Sequence, residues 1–388
     1  MTGSSRALWM LAGLLAGSAA LAHAAAPLAR LKVPPGFHVS IYSDQVPNAR
    51  EIALGDHGTV FVGSFREGKV YALTGMDAQG RAEHVHVIAR GLEMPVGVAF
   101  RDGALYVSAV SRILEYPDIE KRLADPPRPV IVTDKLPTRT HHGWKFIAFS
   151  PDGKLYVPIG APCNICNPGP DFAKIIRMNP DGSDWQTVAT GIRNSVGFDW
   201  QPGSHAFWFT NNGRDRMGDN IPDDTLNRVD GLGENFGYPY CHAGNVPDPE
   251  YGKGHGCAEF AQPALRLGAH VAALGMRFYV GRMFPAQYDD AIFIAEHGSW
   301  NRSRKVGYRV VVVHVGKDDK VTGSAPFLTG FLDGQETLGR PVDVQPLRDG
   351  SLLVSDGDNG VIYRVTFLRS SMNAASRDNS YRHGHRGP

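Results

Sequence analysis

Charge of one sign is what this chain lacks: across 388 residues, 40 Lys and Arg face 39 Asp and Glu, leaving a formal net charge of +1. Without a basic excess to neutralise phosphate backbones, nucleic acid gets no support as a partner. Long apolar runs are equally scarce. The one present lies in "MTGSSRALWMLAGLLAGSAALAHAAAP", where Arg6 precedes an apolar stretch from Ala7 to about Leu21 and Ala22-His23-Ala24 fits a small-x-small cleavage site. It reads as a secretory signal peptide over residues 1–24 of a periplasmic or secreted protein. An uncleaved anchor is the competing reading, against which the run is short for a spanning helix of ~20 residues.

Cysteine is rare as well, with four residues: Cys163 and Cys166 in "APCNICNPG", and Cys241 and Cys257 in "YCHAGNVPDPEYGKGHGC". An even number in an exported chain suggests two local disulfides, although three pairings are possible. Asn167, not His, follows the C-x-x-C, which argues against covalent haem. A four-thiolate zinc site is disfavoured by the wide spacing of the second pair and by an oxidising compartment. Helix signals are few. "PDIEKRLADPP", Pro117 to Pro127, is the clearest short candidate, opened and closed by proline. The tail over residues 369–388 has no apolar period and reads as a flexible polar terminus.

What the chain has in quantity is a repeated β unit. Six segments align on a turn: "REIALGDHGTVFVGSFREGKVYAL", "PVGVAFRDGALYVSAVSRILEY", "WKFIAFSPDGKLYVPIG", "NSVGFDWQPGSHAFWFTNNG", "LGMRFYVGRMFPAQYDDAIFIAEHG" and "RPVDVQPLRDGSLLVSDGDNGVIYRV". Each joins a short apolar strand, a turn often built on Asp-Gly or Pro-Gly, and a second β-branched or aromatic strand. One such unit would leave sheet edges and an apolar face uncovered; radial repetition around a channel covers both. The expected fold is all-β, a six-bladed β-propeller over residues 35–367. A two-sheet sandwich is the rival and suits so long a repeat series poorly.

In a propeller the loops leading into first strands gather at one mouth of the channel. Arg50, His141, His142, Arg193, Asn194, His270 and Arg340 all occupy that position. A lone Arg or His at a loop end is ordinarily a solvated surface group. Recurrence at one place in successive repeats argues for a shared site instead.

Five motifs in order, "HHGWKFIAFSPDGKLYV", "GIRNSVGFDW", "FTNNGRDRMGDNIPDDTLNRV", "GENFGYPYCHAG" and "AEHGSWNR", resemble the soluble quinoprotein glucose/sorbosone dehydrogenases. The resemblance implies pyrroloquinoline quinone (PQQ) and Ca2+ at the channel mouth, and oxidation of an aldose, pyranose or sorbosone-like sugar. By motif position His142 would be the catalytic base, with His141 where some members carry Asp. Arg193 and Asn194 would contact the quinone, Arg340 would be the first of two clamping arginines, and the carbonyls of Gly213 and Arg214 would bind Ca2+. Val342 stands where the second clamping arginine belongs. His297 or Arg302 could replace a family lysine, and His270 falls where glucose enzymes carry Thr. With no haem motif present, electrons would pass to an external acceptor, a quinone or a separate cytochrome.

These residue types suit that chemistry on their own terms. Guanidinium forks hold carboxylates bidentately, backbone carbonyls are hard ligands for Ca2+, and an imidazole is suited to take a hydroxyl proton as hydride leaves carbon. Side chains alternate along extended chain, so His141 and His142 are expected to point apart, with His142 facing the reacting hydroxyl. Asp215, Asp219, Asp223 and Asp224 admit a structural Ca2+ site, against the ordinary reading of a solvated acidic loop. Two other functions remain open: a Ca2+-dependent lactonase-type hydrolase and a non-catalytic ligand-binding propeller.

Overall fold

The computed structural model describes residues 28–368, so the signal-peptide reading of residues 1–24 and the tail reading of residues 369–388 lie outside it. Each repeat becomes a four-stranded antiparallel blade. Blade 1 comprises Ala49–Leu54, Val60–Ser64, Val70–Thr74 and His84–Ala89; blade 2 comprises Val98–Arg101, Ala104–Ala109, Arg112–Tyr116 and Val130–Thr133. In blade 3, Ala148–Phe149, Leu155–Ile159, Lys174–Met178 and Gln186–Thr190 are joined by Glu234–Asn235, which pairs in parallel. Blade 4 holds Phe198–Trp200, Phe207–Asn211, Asp223–Val229 and Leu265–Ala269, and blade 5 holds Ala273–Phe278, Ile292–Glu296, Arg309–Val315 and Val321–Leu328.

Blade 6 is completed from the other end of the chain. Its strands Pro341–Pro346, Leu352–Asp356 and Val361–Phe367 accept Phe37–Ser43 as the outermost member, with Phe37 opposite Phe367. The ring is thereby closed without an open edge between first and last blades. This is the six-bladed β-propeller that the repeats imply. Phe37 also drives closure through packing: its ring meets Phe284 at 4.7 Å and Phe327 at 5.0 Å, both edge-on, inside the cluster between blades 5 and 6.

First strands crowd the axis because two residue types let them approach. A methyl group at Gly97 would sit 2.1 Å from the Lys145 carbonyl, and one at Gly197 would sit 2.2 Å from that of Leu274. Those carbonyls accept from Ser108 Oγ at 2.7 Å and Thr210 Oγ1 at 2.6 Å, so the second strands of blades 2 and 4 tie down the blades that follow them. Inner-edge N–H groups, which have no further strand to pair with, are taken by buried carboxylates. Glu51 accepts from Val98 and Ile147, Asp199 from Phe278, and Asp343 from Ile52. Burial pushes the Asp343 carboxyl up to about 6, and Arg277, 3.6 Å from both Glu51 and Asp343, opposes the shift.

Two cysteine pairs are joined, Cys163–Cys166 and Cys241–Cys257, as the local-disulfide reading anticipates. The helix expected over Pro117 to Pro127 reduces to one 3-10 turn, Ile119–Lys121. Only Ile119 of that turn is buried, and one apolar anchor does not support a longer helix. Among the described residues no helix is long and apolar enough to cross a membrane.

Candidate active site

A cavity of about 440 Å3 opens at the mouth where the loops into the first strands converge. Arg50, His142, Arg193, Asn194, Gly213, His270, His297 and Arg340 all line it. Residues drawn from blades 1, 3, 4, 5 and 6 therefore face one space.

The paired histidines are not in extended chain, which corrects the expectation of simple alternation. His142 has φ 51°, a left-handed conformation uncommon outside glycine, and the bend sends its ring into the cavity while His141 stays exposed at the rim. The two rings remain in contact, centroids 4.2 Å apart and edge to face. Room for the bend comes from Gly160: a Cβ there would lie 2.6 Å from the His142 Cβ and 3.1 Å from Asn194 Oδ1. His142 Nδ1 is 2.8 Å from the Ala161 carbonyl. A carbonyl only accepts, so Nδ1 carries the hydrogen and Nε2 keeps a lone pair. Burial, assisted by Arg193 and His141, holds this imidazole well below its usual pKa, so it is neutral at neutral pH.

His297 repeats the arrangement. Its Nδ1 donates to the Pro341 carbonyl at 3.0 Å, and burial together with Arg340 and Arg50 keeps the ring neutral, its pKa well below the ordinary value. His270 is oriented the other way, donating from Nε2 to the Gly218 carbonyl at 2.8 Å.

Four arginines reach the cavity, and they differ in how far the protein neutralises them. Arg193 is fully engaged on one side: Nε meets the Asn164 carbonyl at 2.9 Å, and one terminal nitrogen meets Asn164 Oδ1 and Asp215 Oδ2, each at 2.8 Å. Arg340 donates to the carbonyls of His297 at 3.0 Å and Gly298 at 2.7 Å. Arg50 stacks over Phe65 at 4.8 Å, and its buried Nε has no hydrogen-bond partner among the described residues. Burial first, then the neighbouring Arg340 and Arg66, pulls the Arg50 pKa down to about 10, with Asp358 opposing. Clustered guanidinium groups with an orphaned buried donor fit an anionic ligand.

Leu274 and Trp144 give the cavity an apolar part, backed by a small buried cluster. Val196, Leu274 and Val342 are buried together, with Trp144 packed against them. Val342 is thus the reason a second clamping arginine is absent: its side chain belongs to a hydrophobic platform. Arg66 lines the cavity on the Arg50 side and restores a cation.

The loop after Phe207–Asn211 is held from below. Buried Asp224 accepts the Gly213 N–H at 2.7 Å and the Ala272 N–H at 2.6 Å, and burial raises its carboxyl to about 6. Among the described residues the carbonyls of Gly213 and Arg214 accept no hydrogen bond, which fits a cation held by backbone oxygens. A side-chain Ca2+ cage in the acidic loop does not form: Asp215 pairs with Arg193, Asp219 with Ser303, and Asp224 with two backbone N–H groups. Among the described residues no cluster of three or more His, Cys, Asp or Glu side chains is arranged to hold a metal.

Three expected residues do not line the cavity. His141 is at the rim, the Arg214 side chain turns outward to Asp248 and Glu250, and Arg302 donates to the Ala269 carbonyl and Asn220. Others were not anticipated: Phe65, Arg66, Trp144, Asn212, Trp300 and Asn301. Most follow second strands, at the turn into the third. Trp300 was findable, since a Trp between Ser299 and Asn301 in a polar loop has no core to enter and is 65% exposed.

Fold and site together define a propeller with a cationic, imidazole-bearing mouth backed by a small apolar cluster. Residues 108–364 match the glucose/sorbosone dehydrogenase family, and the chain belongs to it. An uncharacterized protein of Borreliella burgdorferi is 34% identical over 351 residues, covering 87% of this chain and 91% of that one. A PQQ-dependent pyranose dehydrogenase of Coprinopsis cinerea is 43% identical over 56 residues, 14% of this chain and 7% of that protein. The holo PQQ domain of the C. cinerea pyranose dehydrogenase shares the fold, with TM-score 0.75 and 20% identity over 87% of this chain and 97% of that one. So does the PQQ-bound aldose sugar dehydrogenase of Streptomyces coelicolor, with TM-score 0.62 and 18% identity over 87% and 100%.

Proposed function

We propose that this protein is an exported PQQ-dependent dehydrogenase that oxidises an aldose, pyranose or sorbosone-like sugar and passes the electrons to an external quinone or cytochrome. The observation that carries the reading is the bare Nε2 of neutral His142, facing a cavity whose opposite wall bears unneutralised guanidinium groups. When bound, PQQ supplies an electrophilic o-quinone for the hydride, polarised by Ca2+.

The chain's own residues supply the rest. Arg50 and Arg340 would bind the cofactor's carboxylates, Arg193 would contact the quinone, and Leu274 and Trp144 would shield its plane from water. Asn194, whose side-chain amide makes no hydrogen bond among the described residues, is free to contact the quinone. The Gly213 and Arg214 carbonyls, which accept no hydrogen bond among the described residues, would hold the cation. His142 Nε2 takes the proton of the sugar hydroxyl, and the Ala161 carbonyl stabilises the imidazolium that results through the Nδ1 hydrogen. Trp300 offers the sugar an exposed apolar face at the rim. Two disulfides agree with an oxidising, exported setting. A lactonase would need carboxylates converging on an axial metal, and Asp215 and Asp224 are committed elsewhere.

The test is reconstitution. Purified protein titrated with PQQ and Ca2+ should bind the cofactor stoichiometrically and show quinone absorbance changes on adding aldoses. Failure to bind PQQ, or failure of every aldose, ketose and related aldehyde to reduce it, overturns the reading.

A further inference from the structure

Asn164 is one of two residues between Cys163 and Cys166, inside a ring closed by the disulfide. It makes four hydrogen bonds to two different parts of the mouth. Its carbonyl accepts from Arg193 Nε at 2.9 Å, and its Oδ1 accepts both from the Arg193 guanidinium at 2.8 Å and from the Asp215 N–H at 2.9 Å. Its Nδ2 donates to the Asp215 carbonyl at 3.1 Å. Arg193 and Asp215 are themselves paired at 2.8 Å, so the three residues close a triangle.

The strap that presents Asn164 reaches the base as well. Three residues earlier, the Ala161 carbonyl takes the His142 Nδ1 hydrogen, and the Ala161 N–H donates to the Arg193 carbonyl at 2.8 Å. Beyond Asn164, the Cys166 N–H donates to the Tyr238 hydroxyl at 3.1 Å, which fixes the far end of the ring. A loop with two residues between its cysteines would otherwise be free to turn the Asn164 amide to water. Here the disulfide limits that freedom.

We propose that Asn164, presented by the Cys163–Cys166 ring, is a positioning residue that sets Arg193 against the loop carrying the Gly213 and Arg214 carbonyls. It thereby couples the anion-binding and cation-binding halves of the mouth. The role toward PQQ rests on the function proposed above; the clamp itself does not.

The experiment uses the full chain with both disulfides formed and reads two quantities. The first is hydrogen exchange, by mass spectrometry, of the peptide spanning residues 211–216, which contains the Asp215 amide. The second is the dissociation constant for PQQ in the presence of Ca2+. Asn164→Ala should speed exchange in that peptide and weaken PQQ binding about tenfold or more, as expected for losing a hydrogen bond to a charged group, with Tm little changed. Asn164→Asp keeps an oxygen that accepts from Arg193 and from the Asp215 N–H while replacing the Nδ2 donor by a negative charge, so it should retain the protection at the Asp215 amide. Cys163→Ser with Cys166→Ser, leaving Cys241–Cys257 intact, should move exchange in the same direction as Asn164→Ala. Unchanged exchange in both the Ala and the double Ser variants overturns the proposal. If the wild type takes up no PQQ, the cofactor reading fails, and the exchange comparison alone still decides for or against the clamp.

Discussion

Gly160→Ala presses chiefly on His142 and leaves every polar group of the site in place. Gly160 does not have positive φ, so alanine costs little in backbone strain and the effect is steric. The new Cβ would lie 2.6 Å from the His142 Cβ and 3.1 Å from both its carbonyl oxygen and Asn194 Oδ1. Carbon atoms rest at about 3.5–4.0 Å, so His142 must retreat by roughly 1 Å. Arg193 stays in place, because Asn164 and Asp215 hold it from its other side, and the Ala161 N–H is tied to the Arg193 carbonyl, so the retreat stretches the bond from His142 Nδ1 to the Ala161 carbonyl. A displacement of that size at a reacting group costs about 10²-fold in rate. Overpacking should also lower stability by about 1–3 kcal/mol. The assay is aldose-driven reduction of bound PQQ under single-turnover conditions, with urea unfolding alongside. Gly231→Ala, where a methyl group meets nothing within 4 Å, is the control. A Gly160→Ala protein that binds PQQ and reacts at the wild-type rate would refute the placement of His142 as base.

Further outcomes follow from the same geometry. His142→Ala should lower turnover by about 10²- to 10⁴-fold while PQQ still binds, as measured by cofactor titration beside the rate assay. Because burial holds the His142 pKa well below 6.5, His142 stays deprotonated as pH falls through that value; turnover should stay level there and decline only at lower pH, and a limb centred at pH 6.5 would contradict this. Arg50→Ala and Arg340→Ala should each weaken PQQ binding by tenfold or more, read by the same titration, since each removes a donor from an otherwise unneutralised cluster. Phe37→Ala should cost about 3–5 kcal/mol in chemical denaturation, because it empties the cluster that seals blade 6 to blade 5.

The ring was legible because each blade repeats the same local signals, an apolar strand and a Gly-bearing turn. Its closure was not, since Phe37–Ser43 pairs with a strand more than three hundred residues away and carries no turn of its own. At the mouth, residues leading into first strands could be found by their repeat position, which places Arg50, Arg193 and Arg340 correctly. Residues following second strands could not, because Phe65, Asn212 and Trp300 sit in loops of unequal length where alignment of repeats gives no register. His142 was found by position, but its orientation came from a left-handed bend that strand alternation does not anticipate. Asn164 illustrates a third kind of miss. Its neighbours mark it as part of a disulfide loop, and nothing local reveals that the loop is folded against Arg193.

Charge across the cavity is segregated by blade, and this links the missing arginine to the site's direction. Arg193, on blade 4, is balanced by Asp215, so it contributes orientation more than net charge. Arg50 and Arg66 on blade 1 and Arg340 on blade 6 are balanced by little beyond Asp358, and they stand together. The neutral His142 is on blade 3, beside the open carbonyls of blade 4. Leu274 and Trp144 also line the cavity, and Val342 is buried in the cluster behind them. An arginine at position 342 would place a cation in that buried apolar cluster; Val342 instead leaves the positive charge of the cavity to Arg50, Arg66 and Arg340. A flat anion would thereby be given a preferred sense, with its carboxylates drawn toward blades 1 and 6 and its far edge left to His142 and the Gly213 and Arg214 carbonyls.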